Sequence, residues 1–312
     1  MKRQIVQSIR TEKKFIFPSG SDVLALNCYR IRKLLLTAAV SLAALSILTA
    51  NAAEKSEELI DCEDLSMWTG KVLLNREIRR TGVFSFETFG KYPTETIVKD
   101  FIPVNPNNTY TLSCFMRSQN ADKPASGYLG LRMYDKDKKA INHCNVGVYP
   151  DTQNELTTAA NSGDRHLLVK QNPNWLKIKQ AKIAFNAPAD YSDLPSLDLS
   201  PQVAEITPDG DSLKVMLKSP LKQAYPAGTA VRLHSPWSAP LYGIAKGWMP
   251  TEWKEFKTVL NGESEHGTPR DKFWRGTKYV KPFIWFGNWD KKPEEGARLL
   301  VDDIRFTVQS AD

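Results

Sequence analysis

Apolar residues recur at every second position, in short runs bounded by turn formers, over most of the chain after Lys71. The runs at Gly82–Phe89, Thr96–Ile102, Thr109–Met116, Tyr128–Tyr134, Lys182–Phe185, Leu213–Leu217, Thr229–Leu233, Trp253–Leu260, Lys278–Phe286 and Arg298–Val308 read as strands, because a period of two lines one face of a sheet with apolar side chains. No long segment keeps the 3.6-residue period of an amphipathic helix. Between the runs, NPNNT, NADKPASG, DKDK, TPDGD, YPAG and DKKPEEG supply residues that favour turns through their φ preferences and side-chain capping. Many short strands punctuated in this way predict an all-β sandwich or jelly roll. The middle, roughly residues 150–226, is more polar and its strands are brief, as in NAPADYSDLPSLDLSP. It predicts a long irregular or β insertion, a subdomain, or the seam between two small domains.

The N-terminal stretch has another character. Arg30, Arg32 and Lys33 precede an apolar run from Leu34 to Thr49, and Ala50, Asn51 and Ala52 form a small-x-small triplet. That is the layout of a secretory signal peptide, and it predicts a leader over 1–52, with its core at about 30–52, cleaved after Ala52. The run is short of the about 20 apolar residues that a membrane span needs, and polar AEKSEE follows it, so no span is expected after cleavage. The basic segment before the core is unusually long, which fits a start codon placed too early. The expected destination is secreted, periplasmic or at the cell surface.

Removing that leader changes the charge. Residues 1–52 hold eight of the 42 basic and two of the 35 acidic residues, which leaves 34 and 33, a net of +1. The basic pI of about 9.1 therefore belongs to the leader, and with it goes the main argument for nucleic acid, which needs a concentrated cationic face. Residues 53–312 are enough for one large all-β domain or two small ones. Three cysteines remain there, Cys62, Cys114 and Cys144. Cys114 and Cys144 fall in adjacent candidate strands, which favours a bridge between them; the other reading is three buried thiols. With four scattered histidines and no CxxC, zinc has little support.

Four motifs in order, Tyr110-Thr-Leu-Ser-Cys-Phe-Met-Arg-Ser118, Gly130-Leu-Arg-Met-Tyr-Asp135, Trp253-Lys-Glu-Phe256 with Gly262, and Leu299-Leu-Val-Asp-Asp-Ile304, resemble the galactose-binding-like jelly rolls. These include the carbohydrate-binding modules of families 4 and 9 and their relatives. The resemblance implies a jelly-roll sandwich over 53–312 and a polysaccharide or oligosaccharide as partner. It also implies a structural calcium where the first strand meets the last. Glu63 in DCEDLSMW stands where the family's first-strand acid does, and strand alternation from Leu299 to Phe306 puts Leu300, Asp302, Ile304 and Phe306 on one face, with Asp302 inward. A buried carboxylate needs a cation or several donors. Calcium at Glu63 and Asp302 would supply the first; backbone N–H groups or an arginine would supply the second.

Aromatic residues are the other constellation. On Tyr279–Phe286, alternation groups Tyr279, Phe283 and Trp285 on one face and Val280, Ile284 and Phe286 on the other, and one of these faces is core. If the first is the concave outer face, Trp285 and Phe283 would present rings to sugar C–H faces, with Trp289, Trp274, Trp248, Trp237 and Tyr242 as a loop rim. The competing reading is that most of these rings are core or loop anchors, as Trp68 and Trp253 are expected to be. No strand carries the paired carboxylates of a jelly-roll hydrolase. For a lyase, His234, Tyr242 and Arg232 are the cluster to nominate. The leading expectation is thus a non-catalytic glycan-binding protein, with a polysaccharide lyase or glycoside hydrolase, or an adhesive envelope protein, as alternatives.

Overall fold

The computed structural model describes residues 56–70, 72–89, 94–244, 248–286 and 296–311. The predicted leader and Trp289 lie outside them. Among the described residues no helix is long and apolar enough to cross a membrane.

Every predicted run overlaps a strand, and the strands assemble into a jelly-roll β-sandwich. One sheet has six strands, in spatial order Lys254–Asn261, Thr109–Ser118, Arg298–Gln309, Ser85–Phe89 and Leu73–Asn75, with Ser56–Asp61 added along Arg298–Gln309. The facing sheet has seven: Leu241–Ile244, Gly127–Tyr134, Tyr279–Phe286, Thr94–Val98 and Trp68–Gly70, with Ile102–Pro103 and Ala140–Ile141 paired at its margins. Thr109–Ser118 shows the cause most plainly. Tyr110, Leu112, Cys114 and Met116 are buried while the residues between them are half-exposed, so one face of the strand is core and the other is not. Leu129, Leu131, Met133, Val280, Ile284 and Phe286 meet them from the other sheet, and each large side chain so buried contributes roughly 1.5–3 kcal/mol.

The closing strand departs from simple alternation. Its pairing with Thr109–Ser118 slips between Asp302 and Arg305, so that two residues, Asp303 and Ile304, face the space of one, and Asp303 takes a φ of 48°. This is a β-bulge, and it reverses the phase of the strand. Leu299 and Val301 point to the core before it, and Ile304, Phe306 and Val308 after it. The expected inward row of Leu300, Asp302, Ile304 and Phe306 is therefore corrected: Asp302 is buried, but outside the apolar cluster between the sheets.

The middle segment is more ordered than its polar sequence predicts. It builds two three-stranded sheets, Asn154–Glu155 with Ala230–His234 and Lys182–Phe185, and His166–Lys170 with Ser212–Leu217 and Val203–Asp209. Between them lies a second apolar cluster around Trp175, Val169, Phe185, Val215 and Leu233. Its last strand runs to His234, beyond the expected limit at Pro226. The chain leaves and returns side by side, Ser235 N–H donating to Gly147 O at 2.7 Å. A Cβ at Gly147 would stand 2.6 Å from His143 O, so the exit is tight enough to require glycine. Contacts nevertheless join Lys55–Asp312 into one compact unit.

The expected bridge between Cys114 and Cys144 is not formed. All three cysteines of the described chain are free and buried. Cys114 points into the core from the six-stranded sheet, whereas Cys144 lies on a short helical turn, His143–Val146, near Ser238 and Lys182. Burial pushes the Cys62 thiol up to about 12 and that of Cys114 well above its ordinary value.

Candidate functional site

The strand Tyr279–Phe286 resolves the choice between its two faces. Val280, Ile284 and Phe286 belong to the core, so Tyr279, Lys281, Phe283 and Trp285 form the outer face of the seven-stranded sheet. Register then assembles a ladder. Trp285 stands opposite Tyr128, Phe283 opposite Gly130, Lys281 opposite Arg132 and Tyr279 opposite Tyr134. On the other flank Glu95 pairs with Trp285 and Ile97 with Phe283. Directly opposed side chains on one face are close enough to act together.

Gly130 matters to this face because a Cβ there would lie 2.7 Å from Phe283 Cζ. The missing side chain lets the Phe283 ring lie over the strand, where it is fully buried. Above it sits the Arg132 guanidinium, 5.5 Å from the ring centroid, whose Nε and Nη2 donate to the two oxygens of Glu95 at 3.0 and 2.5 Å. This fork fixes a planar polar group on the outer face among aromatic residues. Tyr128, Tyr134, Tyr279 and Trp285 are each half-buried, so each residue keeps some surface open to solvent. Phe101 packs edge-on against Tyr134 at 4.8 Å and Tyr279 at 6.0 Å, extending the row at one end.

The predicted ring set divides accordingly. Trp285 is on this face and partly open. Phe283 shares the face but is sealed, and Trp274 is 2 % exposed in the core with its indole N–H directed to Pro269 O, so neither ring has a free side on which a sugar could stack. Trp237 and Trp248 are exposed, at 58 % and 47 %, at the two ends of the edge strand Leu241–Ile244. Tyr242 sits on that strand with its backbone opposite Gly130. Sequence reading missed Tyr128, Arg132, Tyr134 and Glu95. Their alternation on Gly127–Tyr134 was available, but only register shows that it continues the row of Trp285.

A second cluster lies where the first and last strands meet. Cys62, Glu63 and Asp302 bring one ligand-type atom each within 4.8 Å of one another. Asp302 Oδ2 accepts the N–H groups of Arg80 at 2.6 Å and Thr81 at 3.4 Å, and its Oδ1 accepts Asp303 N–H at 2.7 Å. Glu63 accepts Val83 N–H at 3.2 Å, and its carboxylate lies against Gly82, whose φ of 61° and lack of a Cβ make room for it. Asp303 pairs with Arg80 and accepts Thr81 Oγ–H at 2.5 Å. Desolvation is the chief reason that the Asp302 carboxyl rises above its usual range. The two carboxylates suit calcium, which takes oxygen ligands in loose geometry; the protonated Cys62 thiol does not belong in that set.

Arg232 and His234, nominated for catalysis, form a closed structural network. His234 is completely buried, receives Arg232 Nε–H at Nε2 over 2.9 Å, and directs Nδ1–H at Cys144 O over 2.8 Å. Burial, with Arg232 adding to it, lowers its pKa to about 4, so the ring is neutral and both nitrogens are engaged. Arg232 also donates to Pro188 O and to both oxygens of Asp193. A histidine so committed is not placed to take a proton from a substrate.

A scan against protein-family profiles returns no match, and neither does a search of curated proteins. Among solved structures, the chain is similar to the CBM22-1 xylan-binding domain of Paenibacillus barcinonensis Xyn10C, with 10% identity, a TM-score of 0.36, and coverage of 84% of this chain and 100% of that one. It is also similar to a family 16 carbohydrate-binding module, with 12% identity, a TM-score of 0.29, and coverage of 77% of this chain and 89% of that one.

Proposed function

We propose that this protein is a secreted, non-catalytic glycan-binding protein that holds an extended saccharide along the outer face of its seven-stranded sheet. The observation that carries this reading is the pairing of half-open Trp285 and Tyr128 beside the Arg132–Glu95 fork. Sugar rings present apolar C–H faces that stack on aromatic rings, while their hydroxyls need a fixed donor and acceptor alongside. A sheet face offers both in a row, and partly open aromatic surface rimmed by polar groups is the mark of a binding surface. Glu95 is the carboxylate on the four rungs, and Arg132 engages both its oxygens, whereas glycoside hydrolysis needs two carboxylates across the bond.

Calcium at Glu63 and Asp302 is the second part of the proposal. The ion would draw the first and last strands together with the loop of Arg80–Val83, and would compensate a carboxylate that is short of positive charge.

Affinity electrophoresis of the protein in a panel of soluble polysaccharides, with an assay for released reducing ends, tests the reading. The expected result is retardation by at least one polysaccharide without product, weakened about tenfold or more in Trp285→Ala, since stacking on one ring is worth on the order of 1–2 kcal/mol. Binding undiminished in both Trp285→Ala and Tyr128→Ala would remove the site from this face. Product release would turn the reading to an enzyme, and capture of protein partners without glycan would turn it to an adhesive role.

A further inference from the structure

Among the described residues, one end of the aromatic row carries charge that no carboxylate balances in an ion pair. Phe101 lies beneath two ammonium groups, Lys281 Nζ at 4.1 Å and Lys138 Nζ at 5.0 Å from its ring centroid, and Lys138 is also 5.6 Å from the Tyr279 ring. Nearby carboxylates are committed elsewhere. Glu95 is held by Arg132, Asp137 by Lys136, and Asp135 by the backbone N–H groups of Asp137 and Lys139. Exposed Asp100 makes no ion pair with either lysine, and Lys281 donates to the backbone carbonyl of Lys99.

The placement of Lys138 is specific. It occupies the tight turn of residues 135–139 with a φ of 59°, a conformation that suits Gly, Asn or Asp far better than Lys. A turn built for those residues instead carries an ammonium back over the end of the sheet. Ring contact satisfies such a cation only in part, and two like charges brought to one ring repel until a counter-charge arrives.

We propose that this corner recognises an anionic group on the bound glycan, a carboxylate or a sulfate, so that the protein prefers acidic polysaccharides to neutral ones. The inference rests on the glycan-binding reading of the same face. Trp285 and Tyr128 hold the sugar rings at one end of the ladder, and Lys138 and Lys281 hold an anionic substituent at the other. Both ammonium groups are at the surface, so the preference is sensitive to salt.

The experiment compares pairs of polymers that share a backbone and differ in charge. Polygalacturonate against its fully methyl-esterified form isolates the carboxylate, and dextran sulfate against dextran isolates the sulfate. The expected result is tighter binding to the charged member of at least one pair, with the advantage shrinking as salt rises from about 0.01 M to about 1 M. Lys138→Asn, which keeps a turn-compatible residue, should reduce that advantage about threefold, and the double variant Lys138→Asn/Lys281→Gln about tenfold. Equal binding of charged and neutral members would overturn the inference and leave the glycan-binding reading standing. A preference that survives in the double variant would also overturn it, by placing the anion site elsewhere. Binding to none of the four polymers or to any neutral polysaccharide would remove both.

Discussion

Two buried charged clusters of this protein solve the same problem in opposite ways. Around Arg232 the cation is sealed, 1 % exposed, and each guanidinium nitrogen has a partner: Asp193 takes two hydrogen bonds, Pro188 O one and His234 Nε2 one. Around Asp302 two adjacent carboxylates are buried side by side, and their charged partners, Arg80 and Arg305, are half-exposed or exposed. Glu63 stands at the open side. The first cluster is complete without any ligand and ties the middle segment to its own sheets. The second is compensated mostly by backbone N–H groups and still gains from a cation. Burial of charge is therefore not in itself a sign of function; what distinguishes the two is whether the protein's own groups finish the account.

The largest consequence falls on the closed cluster. Arg232→Met leaves Asp193 without its partner and His234 without its donor, and should cost about 3–5 kcal/mol in urea denaturation. A loss under about 1 kcal/mol would mean that the network is dispensable and the comparison misplaced.

The pH response should separate the clusters by sign. His234 has its folded pKa lowered from 6.5 to about 4, so as pH falls through that window the unfolded chain takes up a proton that the folded one refuses, and stability drops. The expected loss, on the order of 2–3 kcal/mol between those limits, should show in urea midpoints and vanish in a His234→Gln variant that still folds. Asp302 has its pKa raised above 3.8, so its contribution runs the other way: stability is lost as pH rises from 3.8 through the folded value. Asp302→Asn should remove that opposing trend, and a midpoint profile unchanged by the substitution would count against the carboxylate's burial.

Calcium should sharpen the contrast further. Saturating calcium is expected to raise the melting temperature of the protein by a few degrees, reversed by EDTA, because a ligand at a hundredfold its Kd adds roughly 2.7 kcal/mol. Asp302→Asn should abolish the shift and Arg232→Met should not. No shift in the unsubstituted protein would leave the backbone N–H groups as the whole compensation of Asp302.

The smallest expected effect is none. With Cys62, Cys114 and Cys144 all free, a reducing agent should leave the melting temperature unchanged, and the folded thiols should resist a thiol reagent until denaturant exposes them. A melting temperature lowered by reductant would reinstate a bridge.

The candidate site was legible in part. Alternation on Tyr279–Phe286 separated Trp285 from Val280 and Ile284, whereas the meeting of Glu63 with Asp302 was implied by the family resemblance and not by strand alternation. It did not show that Phe283 would be sealed, because that depends on Gly130 across the register and on Arg132 above the ring. Trp274 belongs to the core for a similar reason: its segment has turn-forming neighbours, but the strands around it close over the indole.

What the sequence determined by itself is the strand content and its punctuation, since the alternation of Thr109–Ser118 or Gly127–Tyr134 and the turns between strands are properties of neighbouring residues. Which face of a strand is core, and where the phase reverses, were decided only by tertiary structure. The bulge at Asp303 makes the point: residues opposite it on Thr109–Ser118 determine that two positions fill the space of one, and no local period along Arg298–Gln309 contains that information. The same holds for Arg232 and His234, whose closed network depends on Asp193, Pro188 and Cys144, which stand far away along the chain and adjacent only in the fold.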